Sequence, residues 1–259
     1  MARVVRAGIS GSGESLIVVG RNGSAAAQRN GTQKLSSSAH SDTRPRLNRC
    51  SAIGAAKNVL GATSLAVMHS AGDAMLPCSF PGGVLRRLRP SDVFTFQAYR
   101  AIPDLGHYQG WSPISDSDAL AFLTEMNAAP LFTPGEWVQL GIAEPTAERL
   151  VGDLGLFLAA DESLAAVGFT LEPRSQGRGI ATAAVQAAIQ LLFTTTQVQQ
   201  VRGITDTRNV ASIRLLERAG FHYKETQHVV FRGESCSEDV YVLPRSAGLK
   251  KLSERCVVR

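Results

Sequence analysis

The chain has 259 residues, about 1.7 times the roughly 150 expected of one domain, so it has room for one good-sized domain and flanking segments. With 44% hydrophobic and 19% charged residues it has the composition of a globular protein, which excludes a fibrous chain or one disordered throughout. No run of about 18 apolar residues is present to span a membrane. The net charge of +5 is carried by the ends: residues 1–83 hold 9 basic and 3 acidic groups, residues 84–245 hold 14 and 18, and residues 246–259 hold 4 and 1. A mildly acidic middle argues against a nucleic-acid partner. Cys50, Cys78, Cys236 and Cys256 have neither CxxC spacing nor a nearby His pair, so no metal site and no disulfide scaffold is expected, and a reduced, cytoplasmic setting is the default.

Residues 1–80 are rich in Ser, Ala, Gly and Arg and show no sustained period of 2 or 3.6, so they are expected to be a disordered or leader segment. If they form a transit peptide, the destination is an organelle. From Gly82 onward the pattern becomes regular. Val84 to Arg89 reads as a strand, and Pro90-Ser91-Asp92 as capping residues of a helix running to Tyr99. A second helix is predicted over Asp116 to Asn127, with Leu120, Phe122, Leu123 and Met126 on one face. Three strands follow, at Glu136 to Ala143, Arg149 to Leu158 and Ala165 to Leu171. A helix over Ile180 to Phe193, a strand over Val201 to Thr205, and a helix over Ala211 to Ala219 closed by Gly220 come next. Strands at Phe221 to Phe231 and Asp239 to Leu243 complete the domain, with residues 246–259 as a basic tail.

The chemistry concentrates where the third strand of the meander turns into a helix. Gln176-Gly177-Arg178-Gly179-Ile180-Ala181 puts two glycines and an alanine at a helix start, where larger side chains would keep a ligand from the backbone N–H groups. Unpaired amides and the positive end of the helix dipole favour a phosphate there, and Arg174 and Arg178 add charge. The turn is neither a GxxxxGK[ST] loop nor a GxGxxG fingerprint.

This segment resembles the Gln/Arg-x-x-Gly-x-Gly/Ala motif of the GNAT superfamily of N-acetyltransferases, with Gln176, Gly179 and Ala181 at its defining positions. Downstream, Asp206 to Phe221 is similar to the family's second motif, in which an Asn opens a helix that ends in Gly-Phe. The Asn-x-x-Ser form of that motif and the Leu85-Arg-Arg-Leu-Arg-Pro-Ser-Asp start are most similar to the RimJ/RimL-like branch of ribosomal-protein N-terminal acetyltransferases. The resemblance covers residues 84–245. It implies an α/β domain with a mixed, mostly antiparallel central sheet flanked by helices.

It further implies acetyl-CoA as co-substrate, held in a V-shaped opening. The pantetheine arm would lie along Phe169, Thr170 and Leu171, the pyrophosphate on Gln176 to Ala181, and Asn209 near the thioester. Direct attack by an amine requires a base for the ammonium and a proton for the thiolate. Family members commonly use a Tyr seven residues after the motif Asn; here that position is Leu216, which leaves Ser212 or a water as the acid. Glu136, Glu234 and Asp206 are candidate bases, and His107, Tyr108 and Trp111 candidate acceptor-facing residues. The acceptor would be a protein N-terminus, an aminoglycoside or a polyamine-like amine, and a homodimer is compatible with this scheme. The alternative function is a non-catalytic acyl-CoA-binding regulatory module, motivated by Leu216.

Overall fold

In the computed structural model, which describes residues 75–146 and 148–249, the apolar stretches pair into a single eight-stranded sheet. The expectations for residues 1–74, and for the basic tail from 250 onward, lie outside the described residues. The elements in chain order are β1 (Cys78–Phe80), β2 (Gly83–Arg87), α1 (Val93–Arg100), the single turn α2 (Pro103–Gly106), α3 (Asp116–Ala128), β3 (Trp137–Ala143), β4 (Leu150–Leu158) and β5 (Ala165–Leu171). There follow α4 (Ile180–Thr195), β6 (Gln200–Asp206), α5 (Val210–Ala219), β7 (His222–Phe231) and β8 (Glu234–Pro244). The sheet order is β1-β2-β3-β4-β5-β6-β8-β7, and only β5 and β6 run parallel. This is the expected mixed, mostly antiparallel sheet with helices on both faces.

The two faces bury different clusters. Against one, α4 and α5 press Ile180, Ala184, Val185, Ala188 and Leu216 onto Leu154, Leu156, Val167 and Val201, and the alanines let the helix approach closely. Against the other, α1 and α3 place Phe96, Tyr99, Leu123 and Met126 over Leu88 and Leu150. A register shift between Ile142 and Ala143 turns Leu150 to this second face, because a one-residue slip exchanges the faces of a strand.

An opening in the sheet arises from how β5 ends. Its ladder with β6 has three pairs, Ala165↔Val201, Ala166↔Arg202 and Val167↔Gly203. Beyond them Gly168 to Leu171 stay paired with β4, while Ile204 to Asp206 stay paired with β8, so the two strands part.

Three features were not read from sequence. β1 and α2 are additional elements, too short to carry a period. β8 begins at Glu234 instead of Asp239: Arg232 and Gly233 both take positive φ, 53° and 85°, in a two-residue turn that pairs Phe231 with Glu234 and carries the polar run Glu234 to Glu238 into the strand. Asp92 also differs from a simple cap. Its carboxylate receives both Nη atoms of Arg86 at 2.8 Å and the Arg89 amide at 2.7 Å, which joins β2 to α1.

Candidate active site

At the C-terminal end of β5 the chain makes a tight turn and enters α4. Gly177 and Gly179 sit at φ +72° and +78°, a region that favours glycine, and a Cβ at either would meet nothing within 4 Å. Both therefore face open space. Gly179 is the N-cap and provides no side-chain cap, so the amides of Ile180, Ala181 and Thr182 lack intrahelical acceptors, as the first turn of any helix does. The amides of Gly177, Arg178 and Gly179 also donate to no backbone acceptor among the described residues. Among the described residues, six consecutive N–H groups thus lack an acceptor at full hydrogen-bond geometry, at the positive end of a 16-residue helix and with exposed Arg174 and Arg178 beside them. The turn is fixed from behind, since Gln176 Nε2 donates to the Leu171 carbonyl at 2.9 Å and Ser175 Oγ to Glu172 Oε1 at 2.9 Å. Glu172 is in turn bridged to Arg149 at 2.7 Å, and that bond holds its carboxyl below the ordinary range. The residues expected to meet a pyrophosphate, Gln176 to Ala181, all lie in this one turn.

Phe169, Thr170 and Leu171 form the β5 edge of the opening. Thr170 and Leu171 are buried and Phe169 half-buried. The Phe169 carbonyl accepts from Gln109 Nε2 at 3.2 Å, so a side chain from the α2–α3 connection already crosses to this edge. On the facing side Asn209 is the N-cap of α5, its Oδ1 accepting from the Ser212 amide at 3.2 Å. The Ser212 side chain is half-buried, with no hydrogen bond to its hydroxyl among the described residues. Leu216 points elsewhere. It is buried in the core, and a Cβ on Gly203 of β6 would lie 2.4 Å from its Cδ2, so it fills the space that the missing side chain leaves.

The opposite face of the opening is roofed by residues 107–111. Gln109 ties this segment to β5, while Arg232 at the β7–β8 turn donates to the carbonyls of Gln109 at 2.9 Å and Trp111 at 2.6 Å. The roof therefore crosses β6 and β8. Beneath it, Asp206 and Glu238 are register partners. Asp206 receives Arg208 Nε at 2.8 Å, Nη2 at 2.7 Å and the Arg208 amide at 2.8 Å, and these bonds, with the nearby His107, hold its carboxyl below the usual range. Arg208 also lies 5.8 Å from the centre of the Tyr108 ring. Glu238 is buried, its Oε2 has no partner among the described residues, and burial together with Asp206 pushes its carboxyl above the usual range.

A second buried carboxylate, Asp153 of β4, lies on the same face. It accepts from the Tyr99 hydroxyl, from Arg100 Nη2 at 2.9 and 3.0 Å, and from Gln139 Nε2 at 2.7 Å. The Arg100 guanidinium lies 4.5 Å from the Phe96 ring centre and 4.6 Å from that of Trp111.

The two glutamates expected as bases are both exposed. Glu136 is exposed just before β3, which starts level with Phe157 and Ala166, at the closed end where β5 and β6 are still bonded. Glu234 is exposed at the first position of β8, near the hairpin tip. His107 and Tyr108 stack edge-to-face at 4.5 Å in the roof, and Trp111 is buried beneath Arg100. Glu238 was missed because its strand is expected from sequence only from Asp239, the residue after it, whereas β8 begins at Glu234. The signal that could have found it is Arg232-Gly233, a hairpin turn between two runs of strand-forming length. No group of three metal-ligating side chains occurs among the described residues.

Comparison with known proteins gives a consistent picture. Residues 84–222 match the family model described as an acetyltransferase (GNAT) domain. A protein named "Probable N-acetyltransferase YjcK" from Bacillus subtilis is 33% identical over 89 residues, 34% of this chain and 49% of that protein, so the match spans about half of that relative's length. Among solved structures, a GNAT-family acetyltransferase from Bacillus anthracis superposes with a TM-score of 0.58 at 16% identity, covering 65% of this chain and 98% of that one. The microcin C7 self-immunity acetyltransferase MccE, solved with acetyl-CoA and AMP, superposes at 0.54 with 16% identity, covering 63% and 92%.

Proposed function

Because the chain belongs to the GNAT acetyltransferase family, we propose that it transfers the acetyl group of acetyl-CoA to a primary amine by direct attack within a ternary complex. The observation that carries this reading is the row of six unpaired amides from Gly177 to Thr182 at the mouth of the β5–β6 opening. They provide donors for the pyrophosphate on one side of the sheet, while the opening gives a thioester a passage to the other side. Phe169 to Leu171 would line the arm that joins the two, and Asn209, through the Nδ2 its capping role leaves over, would meet it from α5. The amine arrives under the roof of residues 107–111, where acidic side chains favour a cationic acceptor. Ser212, half-buried one turn into α5, is the hydroxyl we assign to protonating the thiolate. The Asn-x-x-Ser form of the second motif favours a protein N-terminus of the ribosomal-protein type over an aminoglycoside or polyamine.

The test is release of the CoA thiol by the full chain on mixing acetyl-CoA with a Ser-initiated peptide, kanamycin or spermidine. Amine-dependent release with at least one of them is expected. Leu216, buried on Gly203 where relatives commonly have a tyrosine acid, favours a second reading, an acyl-CoA-binding module without turnover. Acetyl-CoA binding with no thiol release from any of the three would select it.

A further inference from the structure

Six side chains among the described residues carry a buried nitrogen or oxygen without a partner, and Glu238 Oε2 is the one carboxylate oxygen in that set. An unpaired carboxylate oxygen in a buried setting is costly, and native proteins retain few of them. Its position gives the expense a use. Glu238 sits on β8 directly across from Asp206, the last residue of β6, at the point where β5 and β6 have separated. The segment above is anchored on β5 through Gln109 and on the β7–β8 turn through Arg232, so it spans the two strands that carry this pair.

Taking acetyl transfer as the reaction, we infer that Glu238 is the general base that accepts the proton of the acceptor ammonium. Asp206 cannot fill that role, because Arg208 occupies its carboxylate with two side-chain bonds and a backbone amide. Instead it supplies a fixed negative charge beside Glu238. The other groups around the pair are Cys236 on the same strand as Glu238, Gln227 opposite it on β7 with Glu225 bonded to that amide, and Arg208 and His107 beside Asp206, with Tyr108 against Arg208 and Arg232 holding the roof from the β7–β8 turn. In this surround burial and Asp206 raise the carboxyl's affinity for a proton, which brings a base closer to working pH.

The step balances without a further reactant. The ammonium gives one proton to Glu238, and the nitrogen lone pair forms the C–N bond as the carbonyl π pair moves to oxygen. Return of that pair expels the CoA sulfur with the C–S electrons. The nitrogen then loses its second proton to the thiolate, directly or by exchange through the Ser212 hydroxyl, and Glu238 releases the first proton to solvent.

The test is Glu238→Gln, which keeps the shape and removes the base, with Glu238→Asp as a shortened carboxylate. The acceptor is whichever of the Ser-initiated peptide, kanamycin and spermidine the wild type turns over fastest. The expected result is a drop in kcat/KM of about 10²- to 10³-fold at pH 7 for E238Q, loss of the acidic limb of the pH profile, partial recovery in E238D, and an unaltered rise in Tm with acetyl-CoA. The E238Q loss should shrink as pH rises, since more acceptor is then neutral in solution. A wild-type rate and acidic limb in E238Q would overturn the assignment of Glu238 and leave acetyl transfer standing. A wild type that turns over none of the three would remove the transfer reading and this inference with it. If E238Q does not fold, E238D decides: the acidic limb kept with a reduced rate supports the inference, and an unchanged rate contradicts it.

Discussion

Asp153 and Glu238 are both buried carboxylates on the same face of one sheet, yet their surroundings are opposite. Asp153 has its oxygens filled by Tyr99, Arg100 and Gln139, and the guanidinium that pairs with it is enclosed between Phe96 and Trp111. Glu238 has an oxygen to which nothing among the described residues donates. The first arrangement ties α1 to β4 and leaves no lone pair for chemistry. The second leaves an acceptor beside the opening between β5 and β6. Burial by itself therefore does not mark a functional acid; burial without partners, at a place where a ligand can arrive, does.

The largest effect that could break this comparison is Asp153→Ala. It would strand the Arg100 guanidinium in an apolar cage, and a loss of about 3–5 kcal/mol in urea unfolding is expected. A loss under about 1 kcal/mol would mean that the cluster is no anchor. Leu216→Tyr comes next. The position is filled against Gly203, so the larger ring should overpack the α5–β6 contact by about 1–3 kcal/mol, with no gain in rate. An increased rate would show that the ring reaches the thiolate after all. Tyr99→Phe removes one donor of several from Asp153 and should cost about 1 kcal/mol.

Glu238→Gln is expected to be the smallest in stability and opposite in sign. A carboxyl whose folded pKa is raised stabilises the fold most when protonated, below its ordinary value of 4.5, and that contribution is lost as pH rises through the raised value. E238Q should therefore gain in Tm relative to wild type between pH 4 and pH 8. A parallel pair of Tm curves would show that Glu238 is not perturbed.

How much of this was legible beforehand follows from the range of the interactions. The donor turn could be read because it is local: two glycines, a strand before and a helix after define six amides within six residues. The strand and helix order could be read for the same reason, from periods within single segments. The acceptor side could not. Glu238 meets Asp206 across 32 positions, and the roof joins residues 107–111 to Phe169 and Arg232. Nothing in either segment alone announces the other. Glu136 and Glu234 were singled out for their place along the chain, and the sheet puts both on exposed positions. β8 was read too short because its first half is polar, and its pairing comes from the hairpin turn instead of from apolar alternation.

The central claim, a donor site built from the amides of Gly177 to Thr182, is tested most directly by titrating acetyl-CoA into the full chain by calorimetry, alongside Gly179→Glu. The variant places a carboxylate at the free amides and a side chain at φ +78°. Saturable binding to the wild type, with none to a variant whose circular dichroism shows it folded, is the expected result. Equal affinity in both, or no binding to the wild type, would contradict it.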